Sequence, residues 1–249
     1  MSQREPIFNV HPAIVGTLAL LAAVHLALAL LPEPDWEWWT LALAFIPARY
    51  SGLAADIPGG DVSAAASFVT HMLVHGDVTH LAFNSVWLLA FGGAIARRLG
   101  GVRCLALAVA CGIAGAVAFM FAHLGELVPV VGASGAISGL MGGVFRFLFN
   151  VSGPVGVWQL GNAPRSIPTM PLARALTDRR VLIAITIWVA ANFLALAGVG
   201  GPSAGIEPGS SAGIAWEAHL GGFFAGFLLF SLFEAPQDED APGETGPDR

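Results

Sequence analysis

Lysine is absent from this 249-residue chain, and charge of either sign is scarce, at 11 % of residues. A soluble domain of this length carries about a quarter charged residues. A soluble globular class is therefore excluded. No basic patch interleaved with aromatics is present, which argues against a nucleic-acid partner. Cysteine is almost as rare: Cys104 and Cys111 lie seven apart inside one apolar run. That pattern gives neither a disulfide framework nor a metal site, so both are read as reduced core residues and no cofactor is expected. No small-residue cleavage site follows the first apolar run, because Leu31 leads straight into Pro32-Glu33-Pro34-Asp35. That run is read as a retained helix, not a signal peptide.

What the chain does have is apolar length. Hydrophobic residues make up 55 % of it and the mean hydropathy is +0.72. They cluster in blocks near the ~20 residues that cross a bilayer. The blocks at 12–31, 79–95, 102–124, 134–149, 181–198 and 215–233 predict an all-α polytopic membrane protein with six transmembrane helices. A short segment, 1–11, precedes this membrane domain, 12–233. An acidic Pro/Gly-rich tail, 234–249, with Asp238, Glu239, Asp240, Glu244 and Asp248, is expected to be disordered.

Arginine alone reports orientation. With the N-terminus inside, Arg4, Arg97, Arg98, Arg103, Arg146, Arg165, Arg174, Arg179, Arg180 and Arg249 fall on the cytoplasmic side, and only Arg49 falls outside. This asymmetry predicts cytoplasmic N- and C-termini, and spans two, four and six that start outside and run inward. The external stretch Trp36-Glu37-Trp38-Trp39, continuing to Phe45, is too short to span and suits an interfacial helix or hairpin. The external stretch from Gly198 to Gly205 reads as a mobile loop.

Polar groups inside spans are costly and often functional. His80 and Asn84 share one helical face at the start of span two, Ser134 opens span four, and His219 lies near the start of span six. All three positions fall near the outer ends of inward-running helices. Gly135, Gly139 and Gly143 form a small-residue stripe on span four, matched by Gly222 and Gly226 on span six. Such stripes allow close helix contact. Ser134 and His219 stand at the tops of the two stripes, where contact would bring hydroxyl and imidazole within hydrogen-bond reach. His25 in span one and Asn192 in span five have no partner that spacing identifies, and both are read as structural or pore-facing.

Gly132-Ala133-Ser134-Gly135 with its glycine stripe, His80-xxx-Asn84 upstream, and His219 with Gly222 and Gly226 downstream resemble a rhomboid intramembrane serine protease. The resemblance runs from about Val69 to Phe233 and includes Gly92-Gly93 and Arg98-Leu99-Gly100. It implies a Ser134–His219 dyad that cleaves transmembrane segments of membrane proteins within a lipid bilayer, in the cell membrane of a bacterium. The serine would attack, with the histidine as general base and then acid. The Ser134 backbone N–H and the side chains of His80 and Asn84 would hold the oxyanion. Glu217, two residues from His219, is expected to point elsewhere.

Two positions depart from the family pattern. Ser138 stands where relatives commonly carry an aromatic that stacks on the histidine, and Ala96 stands where many carry a glutamate that gives a structural contact. The preceding segment, 126–133, is expected to dip inward and open a water-filled cavity, with His71 and His75 either lining its entrance or lying as plain interfacial histidines. The alternatives are a catalytically silent relative that binds or escorts membrane segments, and a small transporter or channel. The transporter reading predicts internal repeats, and none is evident.

Overall fold

A computed structural model describes residues 10–151, 153–162, 164–196 and 215–234. The expectations for the N-terminal segment, the loop around Gly198–Gly205 and the acidic tail beyond Glu234 lie outside the described residues. The described residues are helical apart from turns and one isolated bridge between Phe45 and Val130.

Pro12 opens α1 (Pro12–Ala29), and the His11 imidazole accepts from the Ala13 N–H at 3.2 Å. Ile14, Leu21 and Leu28 are its buried residues. Their spacing gives a single narrow seam, so α1 lies on the periphery with Val15, Leu20 and Leu26 exposed. Next, α2 (Glu33–Leu43) sets Glu33 and Asp35 in its first turn, where the helix dipole favours negative charge. Trp36, Trp38 and Trp39 are exposed on it, as an interfacial helix requires. The buried Arg49 then donates to the carbonyls of Leu41 (2.7 Å) and Pro58 (2.8 Å), tying the turn Pro47–Ser51 to α2 and to the start of α3 (Gly60–Thr70).

Asp77 caps α4 by accepting from the His80 N–H at 2.8 Å. This helix runs Val78–Leu99, with one π-turn at Leu88–Gly92, and ends at Gly100, whose φ of 84° a side chain would resist. Gly101–Ala122 forms α5 and Ser134–Leu148 forms α6. Every residue from Gly135 to Phe147 is buried, so α6 is the central post of the bundle. Two shorter helices, α7 (Gly153–Asn162) and α8 (Leu172–Ala175), lead to α9 (Arg179–Leu196). Finally α10 (Trp216–Leu229) continues through a tight turn at Phe230–Phe233.

The helices α1, α4, α5 and α10 with its terminal turn are each long and apolar enough to cross a membrane. Helices α6 and α9 occupy the other two apolar blocks, and the whole is a polytopic helical bundle. At 15 residues α6 is about 22 Å long, less than a hydrocarbon core of about 30 Å, and neighbouring helices enclose it.

Glycine brings the central helices together. A Cβ on Gly222 would lie 2.0 Å from the Gly135 carbonyl oxygen, and one on Gly226 would lie 1.8 Å from that of Gly139. On the third side, a Cβ on Gly115 of α5 would lie 2.6 Å from the Ala218 oxygen. Backbones α5, α6 and α10 therefore meet at distances no other residue permits. Below them, Leu140, Phe147, Ile95, Leu107 and Phe230 fill the core.

At the end of the bundle remote from Ser134, two buried arginines bind the connection between α6 and α9. Arg98 donates to the Pro164 carbonyl, to the Ile167 carbonyl at 2.8 Å and to Thr169 Oγ1 at 2.6 Å, and pairs with Glu234 at 2.6 Å. Arg146 donates to the carbonyls of Met170 (2.9 Å) and Phe227 (2.8 Å). The contact expected to be missing with Ala96 is thus supplied from elsewhere, because Glu234 at the end of the last span reaches Arg98.

Candidate active site

Ser134 is the first residue of α6, immediately after a turn that only glycine suits. Gly132 has φ +114°, and a Cβ there would lie 2.7 Å from His80 Cε1 and Nε2. Its N–H donates to the His71 carbonyl at 2.9 Å, which fixes the approach of the chain to the helix. The first turn of a helix leaves backbone N–H groups without intrahelical partners and carries the positive end of the dipole. The serine therefore emerges where negative charge is best tolerated.

His219 comes from α10, 85 residues away in sequence, and its Nε2 lies 2.8 Å from Ser134 Oγ. Contact of the two glycine stripes closes this distance, as their positions in the sequence implied. Glu217 points elsewhere, also as expected: His123 Nε2 lies 3.1 Å from its Oε1, and His123 Nδ1 lies 2.8 Å from Glu126 Oε2.

Asn192, for which the sequence identified no partner, has one in the structure. Asn192 Oδ1 lies 2.8 Å from His219 Nδ1, on the side of the ring opposite Ser134. Its Nδ2 donates to the Trp188 carbonyl at 2.9 Å. The only signal available was one amide in the apolar run 181–196. Spacing along one helix cannot show which way that amide faces another helix. Here aromatic contacts set the register: Trp188 stacks on Phe223 at 4.4 Å, and Phe193 meets Trp216 at 4.8 Å. These pairs lie one turn either side of, or next to, the Asn192–His219 contact. His25 also has a partner, since its Nδ1 lies 3.2 Å from the His75 carbonyl oxygen.

His80 and Asn84 share one face of α4. The His80 ring packs over Gly132, two residues before Ser134. Asn84 is buried one turn below, its Nδ2 donating to the His80 carbonyl at 2.9 Å. The expected entrance histidines are not on an open surface, because His71 and His75 are both 3 % exposed. Burial holds each well below the ordinary histidine range, at about 4, with His80 adding to the effect on His75. His71 is instead a packing residue whose Nδ1 lies 2.7 Å from the Ser67 carbonyl oxygen. Ser138 is buried on α6, one turn beyond Ser134. Cys104 and Cys111 are free, buried thiols.

A serine hydroxyl hydrogen-bonded to a neutral imidazole, at a helix N-terminus, can be deprotonated as it attacks an electrophilic carbonyl. Residues 63–235 match the family model of the Rhomboid domain, most of the chain. The chain belongs to the rhomboid family. It is similar to the rhomboid protease GluP of Bacillus subtilis (strain 168), with 40 % identity over 75 residues, 30 % of this chain. It is also 40 % identical over 80 residues, 32 % of this chain, to YdcA of the same organism, whose name marks it as a candidate rhomboid protease. The matched stretches span only 14 % of GluP and 39 % of YdcA. The chain is thus an integral membrane protein of a family that includes serine proteases.

Proposed function

We propose that this protein is an intramembrane serine endopeptidase that cleaves transmembrane segments of other membrane proteins. The observation that carries the reading is the 2.8 Å contact between Ser134 Oγ and His219 Nε2, made by side chains of two different spans at the mouth of a glycine-packed helix pair. Ser134 Oγ attacks the scissile carbonyl carbon as its proton passes to His219 Nε2. The C–N bond then breaks, and the same proton goes to the leaving amine. Water, giving a proton to His219, attacks the acyl-enzyme carbonyl; the bond from that carbon to Ser134 Oγ breaks, His219 returns the proton to Oγ, and the second product leaves as the acid.

In this reading the Ser134 N–H, the His80 ring and the Asn84 amide hold the tetrahedral oxygen. Asn84 has two N–H donors, and the His80 carbonyl takes one of them, leaving the second for the oxyanion. Losing one such donor costs about 10²–10³ in turnover. The arginine distribution supports cytoplasmic termini and a site facing the outer side of the cell membrane.

Purified protein in detergent, given a model transmembrane substrate, tests this reading. Cleavage should vanish in Ser134→Ala and in His219→Ala, and the double variant should be no worse than either, because the pair acts as a unit. Cleavage that survives Ser134→Ala would remove the assignment, and binding without any cleavage would favour an escort role.

A further inference from the structure

We infer that Asn192 is the positioning residue for His219, completing a Ser134–His219–Asn192 relay in which the third member is an uncharged amide. The inference rests on the protease reading and adds to it a reason why His219 is a base on the side that faces the serine.

The hydrogen bonds determine the tautomer. Asn192 Nδ2 faces the Trp188 carbonyl at 2.9 Å, an atom that only accepts, so the donor end of the amide must point there. Turning the amide over would set two oxygens against each other. Oδ1 therefore faces His219 Nδ1 at 2.8 Å, and an amide oxygen only accepts. The ring must then carry its proton on Nδ1 and donate it to Asn192. A neutral ring protonated at Nδ1 has its lone pair on Nε2, which is the nitrogen 2.8 Å from Ser134 Oγ. The opposite tautomer would offer Ser134 an N–H where a base is needed. In a serine triad, imposing the wrong tautomer costs about 10⁴ in turnover.

The amide is also held from behind. Asn192 is one turn beyond Trp188, and the Trp188–Phe223 stack locks α9 against α10 at interplanar 22°. A carboxylate at 192 would orient the ring as well, but it would bring a charge into a span and set an oxygen against the Trp188 carbonyl. An amide gives the orientation without the charge. Of the titratable groups around His219, His80 on α4 is close enough to interact with it, and Glu217 on its own helix is engaged by His123.

The test compares kcat, KM and the pH profile of kcat/KM for wild type, Asn192→Leu and Asn192→Asp, with the melting temperature of each. Asn192→Leu should lower kcat roughly 10–100-fold with KM within about twofold, since a loosened ring spoils geometry and not binding. Asn192→Asp keeps an acceptor toward His219 but gives up the bond to the Trp188 carbonyl, so it should recover part of that loss. Its carboxylate stabilises the imidazolium, so the acid limb of the profile should move up by about 1 pH unit or more. A residue that merely packs would leave that limb in place.

Nitrogen NMR of histidine-labelled protein gives a readout independent of cleavage, with His219 protonated at Nδ1 in wild type and in mixed tautomers in Asn192→Leu. Unchanged kcat in a folded Asn192→Leu, or an unmoved acid limb in Asn192→Asp, would overturn the inference. If Ser134→Ala is inactive while both Asn192 variants behave as wild type, the positioning role fails and the protease reading stands. If Ser134→Ala still cleaves, both fail.

Discussion

Replacing Gly226 with alanine adds a single methyl group, and the structure gives the consequence quantitatively. The new Cβ would lie 1.8 Å from the Gly139 carbonyl oxygen, 2.5 Å from its carbon and 2.8 Å from its Cα. Ordinary C···O contacts are about 3.3–3.6 Å, so α10 and α6 must part by about 1.5 Å at this level. The obstacle is helix backbone, which cannot rotate away as a side chain would. Overpacking of this kind costs about 1–3 kcal/mol, and a chain of this size loses about 2–4 °C of melting temperature per kcal/mol. Gly226 lies two turns below His219 on the same helix. Parting the helices therefore stretches the 2.8 Å Ser134–His219 contact to about 4 Å, beyond hydrogen bonding. A misplacement of about 1 Å at reacting groups costs around 10²-fold in rate.

Gly226→Ala should accordingly lose several degrees of melting temperature and most of its cleavage. Gly16→Ala is the matched control, because a Cβ there meets nothing within 4 Å, and it should stay within about 1 kcal/mol of wild type and keep full turnover. Thermal unfolding in detergent and initial rates on one transmembrane substrate read both effects. A Gly226→Ala protein with wild-type melting and turnover would refute the claim that glycine contact closes the site. One that is destabilised yet fully active would show that the contact supports the fold without setting the hydroxyl–imidazole distance.

Ser138→Tyr probes the position where relatives commonly place an aromatic. Ser138 is already buried and Asn192 already orients His219, so the ring should overpack, lowering stability by about 1–3 kcal/mol without raising turnover, as melting and rate measured together will show. A stable and faster Ser138→Tyr would mean that the histidine had been underconstrained. His123 gives a pH-dependent counterpart outside the spans. Burial lowers its pKa, but hydrogen bonds to Glu126 and Glu217 outweigh that and hold it above the ordinary 6.5. A neutral ring has one N–H and cannot donate to both carboxylates, so the bridge needs the imidazolium. Because the folded value is raised, the bridge stabilises fully below pH 6.5 and is lost as pH climbs through the raised value. Wild-type melting should fall over that range more than that of His123→Gln, and parallel curves would refute the bridge.

Much of this architecture was legible because a bilayer leaves a chain few options. Apolar block length marks the spans, and scarce charge makes each intramembrane polar group conspicuous. The glycines at 135, 139, 222 and 226 show which helices approach closely, and so predicted that Ser134 and His219 meet. Helix ends shifted by a few residues: span two runs to Leu99 because Gly100, not the end of hydrophobicity at Ile95, stops it. Arginines 97 and 98 extend the helix beyond its apolar part, which hydropathy alone does not register. Ala96 offers Arg98 no contact, as expected, and the compensation was hidden for a related reason. Arg98 needs partners wherever they come from, and Glu234 lies 136 residues away in sequence.

Asn192 shows where sequence reading reaches its limit. Within one helix, periodicity fixes which residues share a face, so His80 and Asn84 could be paired at once. Between helices far apart in sequence, nothing in the spacing sets relative depth or rotation, and α9 has no glycine stripe to supply either. Its register comes instead from Trp188 and Phe193 meeting Phe223 and Trp216, a side-chain fit that exists only once both helices are formed. An amide inside a span must satisfy both its donor and its acceptor, and half-buried Asn192 does so with one bond inside its own helix and one across to His219. The division of those two bonds is what makes the residue more than a packing group. The backbone bond fixes which end of the amide faces outward, and that end fixes the proton on the imidazole.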